Sequence, residues 1–577
     1  MIAAGLLIAA GVLGAAVPPA GPMETREEAT NTMNTAASAK PADQAAGAVR
    51  IVLPPEAGAL LKNAGGILGR QIARRCEATV VAAGDAQLAI ELAIEPGMGS
   101  EGFKIADGPA GVIRISGNDE RGVLYGVGKF LHGSRYDKGG FTPGPWRGTS
   151  VPASPFRGIY FATHFNNFYE AGPAGEVQEY LEELSLWGVN SLMLHFPRIQ
   201  FAGLDDPAAQ RAIAHIKGII RAAKALGVKT VVGDAANSGF KSTANELLHT
   251  PVPDPLWRHG NHGVMLCPSK PKARQVILDN WSHLLDEFAD VGVEYVIYWP
   301  YDEGGCGCKD CSPWGANGYP KLCRDLSRLI RVKHPRIKFI VSTWTFDTPP
   351  QGEWEGLAKS LAEDKSWADY IMADAHEDFP RYPLEKGVPG GLPLLNFPEI
   401  SMWGQSPWGG YGANPLPGRL QRLWGQTQGK LSGGTPYSEG IYEDINKVIC
   451  AQFYWKPDRT AEESVKEYLA FEFSPDVAQD LLEAVRIFEQ NHQRGKIRES
   501  ALRAFELVRK AEEKMTVRAR EGWRWRIFYL RALIDKEMFE RKGRLGGEAL
   551  KKAFKELTRI YHAENAGPMP LKPPQVE

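Results

Sequence analysis

The chain has 577 residues, 43% of them hydrophobic and 23% charged, with a formal net charge of −1. That length calls for several domains at roughly 100–200 residues each. The near-neutral balance excludes a polyelectrolyte partner, so no nucleic-acid binding is expected, and the composition is that of an ordinary globular protein.

The first twenty residues, MIAAGLLIAAGVLGAAVPPA, carry an apolar run from Ile2 to Val17 followed by small residues. They read as a signal-like segment, although no Lys or Arg precedes the run. Residues 21–48 are Pro/Ala/Thr-rich and read as a flexible linker. An apolar run of about sixteen residues is short for a spanning helix, and no other segment qualifies. The expectation is a secreted or periplasmic protein with no membrane span in its mature form.

Residues 49–150 read as a small α/β domain. VRIVLPP and AIELAIEP have strand character, Ala59 to Arg75 is helical in pattern, and GVIRISGNDERGVLYGVGKFLH reads as strand, polar turn and amphipathic helix. TPGPWRGTSVPASP is a Pro/Gly-rich boundary.

Over residues 151–445, short apolar segments ending in polar or aromatic residues alternate with amphipathic runs. There are eight such segments, at 158–165, 191–197, 229–236, 295–303, 337–346, 369–376, 393–402 and 434–441. Alternating strand and helix implies a parallel sheet, and eight units predict a (β/α)8 barrel. A doubly wound open sheet is the competing fold, but no Gly-rich phosphate loop follows a strand. Residues 446–566 are helical in pattern, a structural domain packed on the barrel, and 567–577 form a tail.

In such a barrel, functional residues lie at the C-terminal strand ends and in the loops that follow. The rule selects Arg157, His164, Asn166 and Asn167 on the first segment, then His195 and Asp234 on the second and third. On later segments it selects Trp299, Tyr301, Asp302, Glu303, Trp344, Asp374, His376, Asn396, Glu399, Trp403 and Glu439. The aromatic groups beside carboxylates suit the flat face of a sugar ring, though each could equally pack the core. Paired carboxylates across a barrel mouth are the equipment of glycoside hydrolysis, one as proton donor and one as nucleophile or charge stabiliser. Adjacent side chains on a strand point to opposite faces, so Asp302 and Glu303 share the pocket only if the backbone bends, which Gly304 and Gly305 permit. The longer Glu303 is read as the proton donor, with Asp302 orienting it or a substrate group. Glu399 is a rival nucleophile.

The segment GGTPYSEGIYEDINKVICAQFYWKPD resembles the alpha-N-acetylglucosaminidases of glycoside hydrolase family 89, where a Glu-Gly-Ile carries the nucleophile and an Asn and a Trp follow into a helical domain. The resemblance implies Glu439 as nucleophile and Glu303 as acid/base. The Asp-Glu pair on the fourth segment resembles the beta-N-acetylhexosaminidases of family 20, which implies that the Asp positions a substrate acetamide. Residues 49–150 resemble the small N-terminal domain that family 20 shares with family 67 alpha-glucuronidases and family 89. SPFRGIYFATHF looks like the start of that barrel, which implies an arginine, Arg157, reaching the sugar. The function expected is an exo-acting retaining glycoside hydrolase acting on a carbohydrate, with a terminal N-acetylhexosamine first. A uronic acid glycan, or carbohydrate binding without catalysis, is the alternative.

Cys306, Cys308 and Cys311 form C-x-C-x2-C, with Cys323 twelve residues on and Cys267 in the preceding long loop. Four thiolates of this kind, read as Cys306, Cys308, Cys311 and Cys323, can wrap a structural zinc, and in an exported protein disulfides compete, as do free buried thiols. No pattern of open-position metal ligands appears, so no cofactor is expected in catalysis itself. Under the zinc or disulfide reading the cluster braces the loop that carries Glu303.

Overall fold

The computed structural model describes residues 45–577, apart from 165–166, 252–262, 302–303, 401–410, 428 and 566–572. The chain begins with a six-stranded mixed sheet in the order Thr79–Val81, Ala48–Val52, Leu88–Ile94, Val112–Gly117, Phe103–Asp107, Gly148–Ser150. The first three pairings are parallel and the last two antiparallel. The helix predicted from Ala59 to Arg75 forms over those same residues. The second, Glu120–His132, starts at Asp119, whose carboxylate accepts from the Gly122 amide at 2.9 Å and so satisfies one of the first-turn donors.

An eight-stranded parallel barrel follows. Its first seven strands are Phe156–Phe161, Ser191–His195, Lys229–Ala235, Tyr295–Trp299, Lys338–Ser342, Tyr370–Ala375 and Leu394–Pro398. The eighth position is filled by two short pieces, Gly433–Gly434 and Tyr437–Ser438, both paired to the first strand, which closes the cylinder. All eight predicted segments fall on these strands. Alternation sorts their side chains. Phe156, Tyr160, Met193, Val231, Tyr295, Ile297, Ile340, Met372, Leu395 and Phe397 fill the interior, while Val296, Tyr298, Phe339, Ile371 and Leu394 face the surrounding helices.

Two glycines at the seam are a steric requirement. A Cβ at Gly433, which has φ +132°, would lie 1.6 Å from the Phe156 carbonyl oxygen, and one at Gly434 would lie 1.8 Å from Asn396 Oδ1. Only glycine permits the eighth strand to approach its neighbours this closely.

Six longer helices complete the chain: Asp444–Trp455, Ala461–Glu472, Ala478–Gln490, Ser500–Glu512, Trp523–Glu540 and Glu548–Ile560. Thr460 and Glu463 make a reciprocal capping box at the second of these. Asn446 accepts from the Leu416 amide at 2.8 Å and donates to the carbonyls of Ile400 (3.1 Å) and Asn414 (2.8 Å). It thereby holds the chain on both sides of residues 401–410. One apolar cluster runs without a break from Val49 through the outer face of the barrel to Leu557.

Arg157 departs from its expected role. It is fully buried at the start of the first strand, at the end of the barrel opposite the mouth. Its guanidinium donates to the carbonyls of Gly188 (2.7 Å) and Ser154 (2.9 Å) and to the Glu101 carboxylate (2.5 Å). It also lies 5.0 Å from the Trp455 ring and 5.2 Å from that of Tyr125. The residue is a tie between the N-terminal domain, the barrel floor and the first C-terminal helix, fully buried away from the mouth where a substrate would sit. Arg157→Met should cost about 1–3 kcal/mol of stability through its lost buried hydrogen bonds, since Glu101 keeps Arg121 at 2.6 Å and Asn190 at 3.1 Å; denaturant unfolding measures this, and KM of the surviving folded protein should be unchanged.

Candidate active site

The C-terminal strand ends converge on a mouth built by the same alternation that fills the core. Two residues beyond inward Tyr437 stands Glu439, and two beyond inward Phe397 stands Glu399. Both carboxylates are buried, at 5% and 3% exposure. The two strand ends are neighbours, since Glu399 bridges to Tyr437 in parallel. The Tyr437 hydroxyl donates to Glu439 Oε1 at 2.8 Å, which fixes the carboxylate's rotamer and leaves the phenol pushed up by burial and by the Glu439 charge. Behind this strand end the backbone is pinned. Tyr169 Oη lies 2.6 Å from Ser438 Oγ and donates to the Gly440 carbonyl at 3.0 Å, and Lys447 Nζ donates to the same carbonyl at 2.6 Å. Burial pushes the Lys447 ammonium down to about 8 and the neighbouring Glu443 carboxyl well above the usual range.

The sixth strand contributes Asp374 and His376. Asp374 Oδ1 accepts from the His376 amide at 3.0 Å and meets its Nδ1 at 2.9 Å, while His376 Nε2 is 3.6 Å from Glu399 Oε2. Burial opposes charge on this imidazole, but the Asp374 hydrogen bond and the two carboxylates outweigh it, and its pKa is raised. Arg419, on the helix Pro417–Thr427, donates to the carbonyls of both Glu399 and His376 and clamps the sixth and seventh strand ends together.

Past the first strand, itself the neighbour of the eighth, and at the end of the second stand His164 and His195, with ring centroids 4.3 Å apart. Burial holds His164 well below the ordinary histidine value, and His195 supports the shift. Burial likewise lowers His195, with Asp234 partly offsetting it. Both shifts favour the neutral form of the pair. Neither ring nitrogen of His195, nor the indole N–H of Trp344, has a hydrogen-bond partner among the described residues. Buried polar atoms normally find partners, which sets these groups apart from the packed side chains around them. Trp299, Trp344 and Phe397 form the wall between, with centroid separations of 6.1 Å (Trp299–Trp344), 4.9 Å (Trp299–Phe397) and 5.8 Å (Trp344–Phe397). The Trp344 ring also meets that of His376 at 4.3 Å.

The structure thus brings together His164, His195, Trp299, Trp344, Asp374, His376, Glu399 and Glu439. Other expected residues lie elsewhere. Asn396 points outward, where its Oδ1 accepts from Tyr454 at 2.6 Å, because it sits on the opposite face of the strand from Leu395 and Phe397. Tyr301 lies past the end of its strand, is 1% exposed and gives its hydroxyl to Glu353 in the helical layer. Asn167 caps the short helix Phe168–Ala171, accepting from the Tyr169 amide at 3.0 Å and donating to the Ala162 carbonyl at 2.6 Å. Asp234 is fully buried and bound by Arg198 at 2.5 Å, with His195 Nε2 at 3.9 Å; it supports the rim. Asn166, Asp302, Glu303 and Trp403 lie outside the described residues. Missed were Tyr437 and Phe397, each two residues before a candidate carboxylate and so detectable by strand period, and Arg419, which no local pattern marks.

The cysteine cluster is also rearranged. Sγ atoms of Cys267, Cys306, Cys308 and Cys311 all lie within 4.8 Å of one another, and Cys267 takes the place expected for Cys323. The latter is buried on the helix Gly318–Lys333, facing that helix's apolar core. Every cysteine is free. The Cys306 thiol is lowered to about 5, first by its hydrogen bond with Cys311.

Comparison with known proteins rests on structure. No family model matches the sequence, and no curated protein does. Among solved structures, a family GH115 4-O-methyl-alpha-glucuronidase with specificity for decorated arabinogalactans matches at a TM-score of 0.59 and 12% identity, over 90% of this chain and 76% of that one. A GH138 enzyme targeting pectin rhamnogalacturonan II matches at 0.55 and 12%, over 91% and 95%. A family 89 glycoside hydrolase from Clostridium perfringens, in complex with PUGNAc, matches at 0.56 and 13%, over 87% of this chain and 64% of that one. The scaffold is glycoside hydrolase-like. At such identities the likeness is one of fold, and it extends across the N-terminal sheet, the barrel and the helical region. In the cleft beside Arg75, Glu183, Glu472 and Arg524, these four side chains are paired, Arg75 with Glu472 and Arg524 with Glu183. Among the described residues, no helix is long and apolar enough to cross a membrane.

Proposed function

We propose that the protein is an exo-acting retaining glycoside hydrolase that removes a terminal sugar, an N-acetylhexosamine first, from a glycan outside the cytoplasm. The observation that carries this reading is the Glu439 carboxylate. It is buried, aimed into an aromatic-walled mouth at the end of the eighth strand, and held in one rotamer by Tyr437. In the reaction Glu303 gives its proton to the leaving glycosidic oxygen while Glu439 attacks the anomeric carbon. Water then releases the glycosyl-enzyme, with Glu303 acting as base. Trp299 and Trp344 supply the wall for the ring, and the pair His164–His195 meets hydroxyl or amide groups. No cofactor enters this chemistry, and a zinc at the cysteine cluster acts on structure alone.

An uncharged sugar suits this mouth better than a uronate. The guanidinium nearest the second and third strand ends, Arg198, is committed to Asp234, and Arg419 to two backbone carbonyls. The His376 imidazole is already flanked by Asp374 and Glu399. A carboxylate substrate would enter beside these acidic groups, and among the described residues the buried arginine nitrogen near these strand ends that lacks a partner, Arg198 Nη1, belongs to a fully buried side chain. Aryl glycosides of N-acetylhexosamines, hexuronic acids and neutral hexoses test the reading directly. Turnover is expected on an N-acetylhexosaminide. Turnover confined to a uronide would overturn the sugar assignment, and binding without turnover on every substrate would make the protein a carbohydrate-binding one.

A further inference from the structure

We infer that Cys267, Cys306, Cys308 and Cys311 bind one zinc ion that clasps the third barrel loop to the fourth, immediately after the chain passes residues 302–303. Four thiolates around zinc at about 2.3 Å place their sulfurs at the corners of a tetrahedron with edges of about 3.8 Å. The pair Cys267–Cys308 is already at 3.7 Å, and no sulfur of the four lies more than 4.8 Å from another. Disulfide bonding would need about 2.05 Å between sulfurs, and each of the four is free. Four sulfur ligands leave no open position, so the site is closed and structural.

The surroundings are built to receive the ion. Cys267 lies beyond the third strand and the other three beyond the fourth, so chemistry at this point joins two loops that also share apolar packing and polar contacts. Asn237 makes several of the polar contacts. It donates to the carbonyls of Leu266 (2.9 Å) and Gly305 (2.9 Å) and accepts from the Gly305 amide at 3.1 Å. The Gly307 amide donates to the Thr250 carbonyl at 2.8 Å, and His249 Nδ1 meets the Gly305 carbonyl at 3.0 Å. Before residues 302–303, Trp314 donates to the Pro300 carbonyl at 2.6 Å, and Tyr319 to the Tyr298 carbonyl at 2.6 Å. Trp314 lies three residues past Cys311, so the clasp and the strand end are anchored by one short stretch. Residues 302–303 are thus approached from both sides by chain that depends on the cluster. Zinc therefore acts as a positioning element, which rests on the reading of Glu303 as the proton donor; the ion's presence does not.

Metal analysis of full-length protein purified without chelator should find about one zinc per chain, the stoichiometry of a closed four-ligand site. Cobalt exchanged into the site should give the intense visible bands of tetrahedral sulfur coordination. Cys267→Ser should lose the metal and Cys323→Ser should keep it, the variant that separates this ligand set from the one expected by spacing. Chelation should lower Tm of the wild-type protein and leave that of Cys267→Ser where it is. Should Cys267→Ser fail to fold, the cobalt spectrum and Cys323→Ser still decide the matter. Absence of zinc, loss of metal in Cys323→Ser, or fewer than seven titratable thiols after chelation in denaturant would overturn the proposal. None of these measurements requires turnover, so a failure of the hydrolase assignment would leave the metal result intact. If both hold, metal removal lowers kcat more than it raises KM.

Discussion

Glu439→Gln is expected to abolish turnover while the protein keeps its fold. The substitution preserves shape and the Tyr437 hydrogen bond but removes the negative charge that would attack or stabilise the anomeric carbon. Losing one electrostatic stabiliser costs about 10²–10³ in kcat, and losing a nucleophile up to about 10⁶, so a fall on the order of 10⁴ or more is expected. Stability should rise slightly or stay level, because an amide is cheaper to bury than a carboxylate beside Glu399 and Glu443. The measurement is kcat on the best aryl glycoside, with Tm as the control. Full activity in Glu439→Gln, with loss in Glu399→Gln, would transfer the nucleophile to the seventh strand, whose carboxylate also faces the mouth.

The second large effect belongs to Glu303→Gln and has a different signature. A missing general acid matters in proportion to how badly the leaving group needs a proton. On natural glycans and poor phenols the loss should be about 10²–10⁴-fold, while glycosides of strongly acidic phenols should be cleaved at close to the wild-type rate in the glycosylation step. The alkaline limb of the pH–rate profile should disappear with it. A uniform loss across leaving groups would argue for a positioning role, and would point to Asp302 as the donor.

Much of the fold was legible because two periods were clean. Strand segments ended where polar residues began, and the helices from Ala461 onward repeat apolar residues at helical spacing, so both classes of element lie where expected. The site was legible in part for the same reason. Residues that share a face with a filled core position (Glu439 above Tyr437, Glu399 above Phe397) follow from alternation alone. Residues that failed did so through packing that no local pattern encodes. Arg157 is on the right strand but at its wrong end, Asn396 is on the outward face, and Tyr301 follows Pro300, beyond which alternation no longer applies. Cys267 is visible in the sequence, but spacing favours Cys323 as the fourth ligand, because Cys267 is far from Cys306 along the chain and comes near it in space through the pairing of the third and fourth strands.

The buried tie at Arg157 bears on how this molecule can be engineered. Its guanidinium is shared among a carboxylate from the N-terminal domain, carbonyls of the barrel floor and a tryptophan of the first C-terminal helix. The barrel is therefore no portable cassette. Cutting the chain near residue 150 or after residue 445 would leave an arginine in a dry interior facing a missing neighbour. Swapping loops at the mouth, by contrast, leaves this joint untouched. Specificity in this scaffold can be remodelled from the top, and its modules cannot be traded from below.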